Sequence, residues 1–378
     1  MVEWKKIWEV TIWDKRFQGV DKSMQAKIKQ YPYLLAKDLF ALARPYGDIK
    51  LLSTGVQEGW TTKEVAGKYL CEGEIVSIPW GKSPGAKNPV KYYKGKFVTG
   101  DNRIATSSDL NVLNNKYLYY WLVKNNDLLE TFYRGAGIQH PSMYMVLTMD
   151  IPLLPISEQT RIVGILDTFT SAIDNLKEQI AQRKKQYEYY RDQLLDLVGK
   201  PGVEMKTLPE ISDNRDRVRK PITSSKRKAG NYPYYGASGI VDYVDGYIFD
   251  GDYLLISEDG ANLVARSTPI AFSITGKNWV NNHAHVLQFK DKATQKYVEI
   301  YLNMIDLEPW INGAAQPKLN QDNLNKISIP LPPLSEQQRI VSILDTFEAS
   351  IQNLEAQLKE REKQYEYYRN KLLTFDKI

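Results

Sequence analysis

Two short stretches of the chain gather the residue types that neutralise phosphate and hydrogen-bond base edges. Lys82, Lys87, Lys91, Lys94, Lys96 and Arg103 fall between positions 82 and 103, interleaved with Trp80, Tyr92 and Tyr93. Arg215, Arg217, Arg219, Lys220, Lys226, Arg227 and Lys228 form a second group beside Ser224, Ser225 and Asn231. Lysine and arginine bind the phosphate backbone, while hydroxyl, amide and guanidinium groups can read bases, so both groups are candidate DNA-binding loops. A solvated surface loop has the same composition, and either group alone fits it equally well. Basic loops in both halves of the chain favour nucleic acid.

Bond-making chemistry is harder to find. The run VSIPWGKS, Val76 to Ser83, ends like a phosphate-binding loop, but Val76 stands where a glycine must let the backbone wrap a phosphate. No Asn or Asp precedes Pro-Pro and an aromatic, so the loop with which amino-methyltransferases hold a flipped base is missing, and no glycine-rich cofactor turn stands out. Glu258-Asp259 could bind a metal, yet a turn after a strand explains the pair better. The single cysteine, Cys71, forbids an internal disulfide and reads as a small core residue; with only His140, His283 and His285 besides, a zinc set lacks ligands. The expectation is a chain with no active site, metal or cofactor of its own.

The elements that would position the basic loops follow from length and repetition. A chain of 378 residues exceeds the usual allowance for one domain. Its 43% hydrophobic and 25% charged residues are ordinary for a globular protein that buries real cores. No apolar run is long enough for a membrane span and MVEWKKIWEV does not read as a signal peptide, so the expected location is the cytoplasm. Net charge is only +5, but it is uneven: Met1 to Asp150 carry 21 basic and 15 acidic residues.

A long ungapped repeat divides the chain. Ile151 to Leu197 matches Ile329 to Phe375 at 29 of 47 positions with an offset of 178, which is duplication rather than chance. Fainter traces at that offset pair Gly73-Glu74 with Gly251-Asp252, and Gly135 with Gly313. Each half is therefore a variable domain followed by a near-identical segment: 1–150 and 151–200, then 201–328 and 329–378.

The repeated segment reads as a helix. Pro330, Pro332 and Pro333 stop just before Ser335, which with Gln338 forms a capping box; Ser157 offers half of one. Apolar positions then step by fours and threes through Ile162, Leu166, Phe169, Ile173, Leu176 and Ile180, and again through Ile340, Leu344, Phe347, Ile351, Leu354 and Leu358. Only Arg183 and its copy Arg361 break the seam. Such a seam buries itself against a helix of like pattern, and the chain contains two. About 40 residues make a rod on the order of 60 Å long, too long for one domain to wrap. Antiparallel pairing is favoured over parallel because the second domain starts where the first helix ends, after the linker Val198 to Gly202. The plainer alternative packs each helix on its own domain.

Both variable domains read as mixed α and β. The first offers strands at Lys50-Leu51-Leu52, Glu74 to Ile78 and Gly95 to Val98 with a helix over Lys116 to Leu122; the second offers Tyr247 to Ile256 and Ile270 to Ile274 with a helix near Lys296 to Met304. The fold class is α+β, with two pseudo-repeated mixed domains separated by two long helices in an antiparallel coiled coil.

Taken together, the chain resembles the specificity subunits of type I restriction-modification systems. The residues that carry the likeness are IPLLPISEQTRI at Ile151, IPLPPLSEQQRI at Ile329, the approaches Gly135 to Gln139 and Gly313-Ala314-Ala315-Gln316-Pro317, and PYYGASGIVDYV from Pro233. Ser53-Thr54-Gly55 departs from the family's usual Gly-Ser or Gly-Gly turn.

The resemblance implies a non-catalytic DNA reader. Each variable domain would be a target-recognition domain for one half of a bipartite, asymmetric site. The paired helices would set the unread spacer and dock two methyltransferase subunits. Those subunits would bring S-adenosylmethionine and flip one adenine per half-site, and a motor-nuclease subunit would join for cleavage. Gln186, Glu188 and Arg191, with their copies Gln364, Glu366 and Arg369, are docking candidates. A cytosolic coiled-coil scaffold that joins proteins without DNA is the alternative.

Overall fold

The computed structural model describes residues 2–83, 90–313 and 316–376. In the first domain six strands form one sheet: β1 (Thr11–Trp13), β2 (Ile49–Leu52), β3 (Glu58–Thr61), β4 (Cys71–Pro79), β5 (Lys91–Thr99) and β6 (Asn102–Ser107), in the order β1-β6-β4-β5-β2-β3. Only β2 and β5 run parallel; every other neighbour in the sheet is antiparallel. The helix α1 (Asn115–Lys124) covers one face, and its start is set by Asn114, whose side chain accepts from the Lys116 and Tyr117 amides.

The second domain repeats this plan strand for strand. Its sheet contains β7 (Ser212–Asn214), β8 (Ala229–Gly236), β9 (Gly239–Val244), β10 (Phe249–Ser257), β11 (Ala271–Val280) and β12 (Ala284–Phe289), in the order β7-β12-β10-β11-β8-β9. Here β8 and β11 are the parallel pair. The covering helix α3 (Lys292–Met304) is capped by Asp291. The faint sequence traces mark equivalent places: Gly73 faces Gly95 across β4 and β5, as Gly251 faces Gly276 across β10 and β11. At Gly135 and Gly313, both with positive φ, a Cβ would lie 2.8 and 2.7 Å from a carbonyl oxygen three residues ahead. Both turns require glycine.

Each domain closes onto its repeat through the same contacts. A strand near the domain start pairs antiparallel with the prolyl strand before the helix, Glu3–Lys6 with Asp150–Leu153 and Glu204–Thr207 with Ser328–Leu331. Tyr117 donates to the Pro152 carbonyl at 3.0 Å and Tyr297 to the Pro330 carbonyl at 2.6 Å. The glutamine of each Ser-Glu-Gln motif is buried and holds backbone: Gln159 donates to the Val112 and Leu154 carbonyls, and Gln337 to that of Pro332.

The long helices are α2 (Ile156–Leu195) and α4 (Leu334–Leu372). Helix α4 starts one residue before Ser335, because the Pro333 carbonyl already accepts from the Glu336 and Gln337 amides. The chain divides into two compact units, Met1–Leu176 with Gln357–Ile378, and Lys177–Ala356. Each unit takes one variable domain together with the first half of one helix and the second half of the other.

The reason lies in the packing. In the first unit Ile162 and Leu166 join the domain core together with Leu373, while Phe169 stacks on Tyr368 with ring centres 5.3 Å apart. In the second, Ile340 and Leu344 share a core with Leu195 and Leu197, and Phe347 stacks on Tyr190 at 5.4 Å. In both units the opening of one helix thus meets the closing turns of the other, which is antiparallel pairing. Early seam residues serve domain core and helix pair at once. Ile173 and Ile180 are buried, whereas Leu176, Ile351, Leu354 and Leu358 are half-buried, as expected of a two-helix seam. The two arginines that interrupt the heptads lie over phenylalanine rings of the facing helix, Arg183 over Phe347 at 5.7 Å and Arg361 over Phe169 at 5.9 Å.

Candidate nucleic-acid interface

The basic groups separate into residues that build the domains and residues that remain outside. Lys82 is buried, pairs with Glu130 and lies 4.7 Å from the Tyr133 ring centre. Lys91 donates to the Ser53 carbonyl at 2.7 Å, and burial pulls its ammonium below the usual lysine range. Arg103 is buried too, hydrogen-bonded to Asp101 at 2.7 Å and stacked 3.9 Å from the Trp80 ring centre. Lys94 is exposed beside Glu74 at 3.5 Å, and Lys96 is exposed. Lys87 lies outside the described residues.

In the second domain Arg215, Arg217, Lys220, Lys226 and Lys228 are exposed. Arg227 is half-buried over Tyr234, 4.5 Å from the ring centre, and it donates to the Ile222 carbonyl at 3.0 Å. Arg219 turns inward, 2.6 Å from Glu258 and 3.2 Å from Asp216. The first basic group thus keeps two described cations at the surface and the second keeps five.

Arg219 belongs to a charge network that composition did not disclose. Asp216 accepts from the Val286 amide at 2.8 Å and faces His285 Nδ1 at 2.6 Å; His285 Nε2–H donates to the Leu319 carbonyl at 2.8 Å. Glu258 adds Lys318 at 3.2 Å to its Arg219 contact. Burial pushes both carboxyls up, but the hydrogen bonds and positive charges of His285 and Arg219 outweigh it, leaving Asp216 and Glu258 below the usual carboxylate range. Asp216, Glu258 and His285 approach one another closely enough to share a metal ion. Arg219 and Lys318 already supply the positive charge, so the set reads as an ion-pair network that ties the end of β10 to the start of β12.

Glu258-Asp259 is therefore more than a turn: Glu258 anchors this network and Asp259 accepts from His283 Nδ1–H at 2.9 Å. The first domain fills the same place differently. Asp14 accepts from the Ile104 amide at 3.0 Å, and Arg103 on Trp80 stands where His285 and Glu258 stand in the second sheet. A lone histidine in the strand AHVLQF was the available signal for the network, but its carboxylate partner is 69 residues away.

On the helices, Glu188, Glu366 and Gln186 are exposed and Gln364 is half-buried. Arg191 and Arg369 are half-buried and lie over Tyr187 and Tyr365, 5.9 and 5.5 Å from the ring centres. The exposed aromatics of the repeat match between copies: Tyr189 is 60% exposed and Tyr367 59%.

A sheet plan used twice, with near-identical helices and differing charged surfaces, defines a duplicated two-domain protein. The family model for the type I restriction modification DNA specificity domain matches residues 27–184 and again 201–362. The chain belongs to this family of type I specificity subunits. It is 32% identical over 310 residues to the EcoR124I/EcoR124II specificity subunit of Escherichia coli, a match covering 73% of this chain and 74% of that one. A putative specificity subunit of Haemophilus influenzae is 41% identical over 184 residues, 47% of either chain. The fold matches the crystal structure of an S subunit from M. genitalium with a TM-score of 0.69 at 18% identity, covering 100% of this chain and 97% of that one. Among the described residues no helix is long and apolar enough to cross a membrane.

Proposed function

We propose that this chain is the sequence-reading subunit of a type I restriction-modification complex, and that it binds a bipartite, asymmetric DNA site with one half-site per variable domain. The observation that carries this reading is internal: one fold appears twice, with 29 of 47 positions identical in the helical repeat while the charged surfaces of the two domains differ. An asymmetric target needs two different readers on one frame. The exposed cations Lys94, Lys96, Arg215, Arg217, Lys220, Lys226 and Lys228 would meet phosphates, whereas Lys82, Arg103 and Arg219 support the domains that carry them.

In this reading the antiparallel helices fix the spacer between half-sites. Near-identical outer faces, including Tyr189 and Tyr367, dock two copies of one methyltransferase subunit. That subunit brings S-adenosylmethionine and modifies one adenine per half-site, and a motor-nuclease subunit joins for cleavage. A complex acting on chromosomal DNA works in the cytoplasm. Binding of the assembled chain and methyltransferase to duplex DNA, measured across a salt series, tests the reading: affinity should fall steeply with salt as phosphate contacts release counterions. A scaffold that joins proteins without DNA would bind no duplex at any salt concentration.

A further inference from the structure

The two domains share a concavity at the same end of the sheet, and its lining differs between them. In the second domain it encloses about 610 Å³ between the end of β8, the loop after β10 and the turn Asn281-Asn282-His283 that joins β11 to β12. In the first it is smaller, about 240 Å³, and the equivalent turn is Gly100-Asp101. The equivalence is set by backbone: the Gly100 amide donates to the Leu52 carbonyl as the Asn281 amide donates to that of Tyr235. Trp80, Ile138 and His140 give the first concavity an aromatic and apolar wall, whereas the second sets Asn262, Asn281, Asn282 and His283 alongside apolar Ile222 and Val241.

Groups in the second turn divide their tasks. Asn281 is buried, and its side chain accepts from the His283 amide at 2.8 Å, fixing the turn. His283 is exposed; its Nδ1–H donates to Asp259, so Nε2 is not engaged by that carboxylate. Asn282 is exposed, and among the described residues its amide has no side-chain partner. An asparagine amide donates and accepts together, the pattern that the major-groove edge of adenine satisfies. Arg227 lines the same concavity, and the exposed Lys226 and Lys228 flank it in sequence, so a phosphate-binding rim stands next to groups suited to bases.

We infer that Asn282 and His283 are base-reading residues for one half-site, with Asn282 fitted to an A·T pair. The inference rests on the DNA-reading function proposed above. Contacts that any copy of the fold needs, such as Tyr117 and Tyr297 on the prolyl carbonyls, are the same in both halves, whereas this turn differs in length and chemistry. A surface serving two unlike half-sites must differ in that way.

The test uses the full chain assembled with the methyltransferase subunit of its own system, and duplexes carrying its methylation motif with one half scrambled at a time. Failure of the wild-type complex to discriminate either half would sink the DNA-reading function itself. Given that discrimination, the variant carrying Asn282→Ala and His283→Ala should lose about tenfold or more of its preference for one half and keep its preference for the other. Lys226→Ala with Lys228→Ala should instead weaken binding to all duplexes and flatten the salt dependence. Unchanged discrimination of both halves by the turn variant would overturn the inference, as would a uniform loss of affinity with discrimination intact.

Discussion

Asp14 and Asp216 both accept a strand amide at the edge of a sheet, but their neighbours give them opposite electrostatics. Burial dominates at Asp14 and raises its carboxyl above the usual range, although the Ile104 amide and Lys15 oppose this. At Asp216 burial is outweighed by His285, the Val286 amide and Arg219. A depressed carboxyl contributes stability that is complete above its unfolded value, about 4, and is lost as pH falls through the lower folded value. A raised one costs stability when ionised, and that cost is relieved on acidification. Asp216→Asn should therefore lose about 3 kcal/mol at pH 7, because a buried ion network is left with an uncompensated charge. The loss should shrink as the pH drops below about 4. Asp14→Asn should change stability far less at pH 7 and reduce any stabilisation on mild acidification. Urea unfolding of both variants at pH 7 and pH 3.5 checks the pair; equal losses at pH 7 would contradict the assignment.

At the scale of elements, helix pairing concentrates in mixed aromatic and arginine contacts. Phe169 meets Tyr368 and Arg361, and Phe347 meets Tyr190 and Arg183. Replacing both Leu176 and Leu354 by glutamate puts charge into the half-buried seam and should abolish methylation of DNA by the assembled complex, with helicity falling in circular dichroism. Retained methylation would count against a spacing role for the helices. Tyr189→Ala with Tyr367→Ala should leave folding intact and reduce co-purification with the methyltransferase subunit; undiminished co-purification would place docking elsewhere.

These helices were legible in the sequence because apolar residues stepping by threes and fours mark a long helix with one buried face. Strands Glu74 to Ile78 and Tyr247 to Ile256 were legible from β-branched and aromatic runs. Glu58–Thr61, Asn102–Ser107, Ala284–Phe289 and the hairpin Ala229–Val244 were not. They are short or contain proline and glycine, and all but Glu58–Thr61 pair with partners far along the chain, such as Ala105 with Trp13, Leu287 with Asn214 and Tyr235 with Val280. The basic loops were legible as composition, but which cations face outward was not. Lys82 and Arg103 turn inward because Glu130 and Asp101 are there to meet them, and those contacts exist only in the folded domain.

For the whole molecule, duplication supplies a comparison that one sequence rarely offers. What both halves keep is the sheet plan, the tyrosine bonds to the prolyl strands, the buried glutamines and the helices. What they change is the charged end of the sheet. A frame shared by two copies of one partner must be the same twice, whereas an asymmetric DNA site must be read in two different ways. The most direct test of this division is single-molecule sequencing of modified adenines in the source cell with the gene intact and deleted. Deletion should remove one bipartite adenine-methylation motif with two unlike half-sites and a fixed spacer. An unchanged methylation pattern, in a cell that expresses this chain and its methyltransferase, would contradict it.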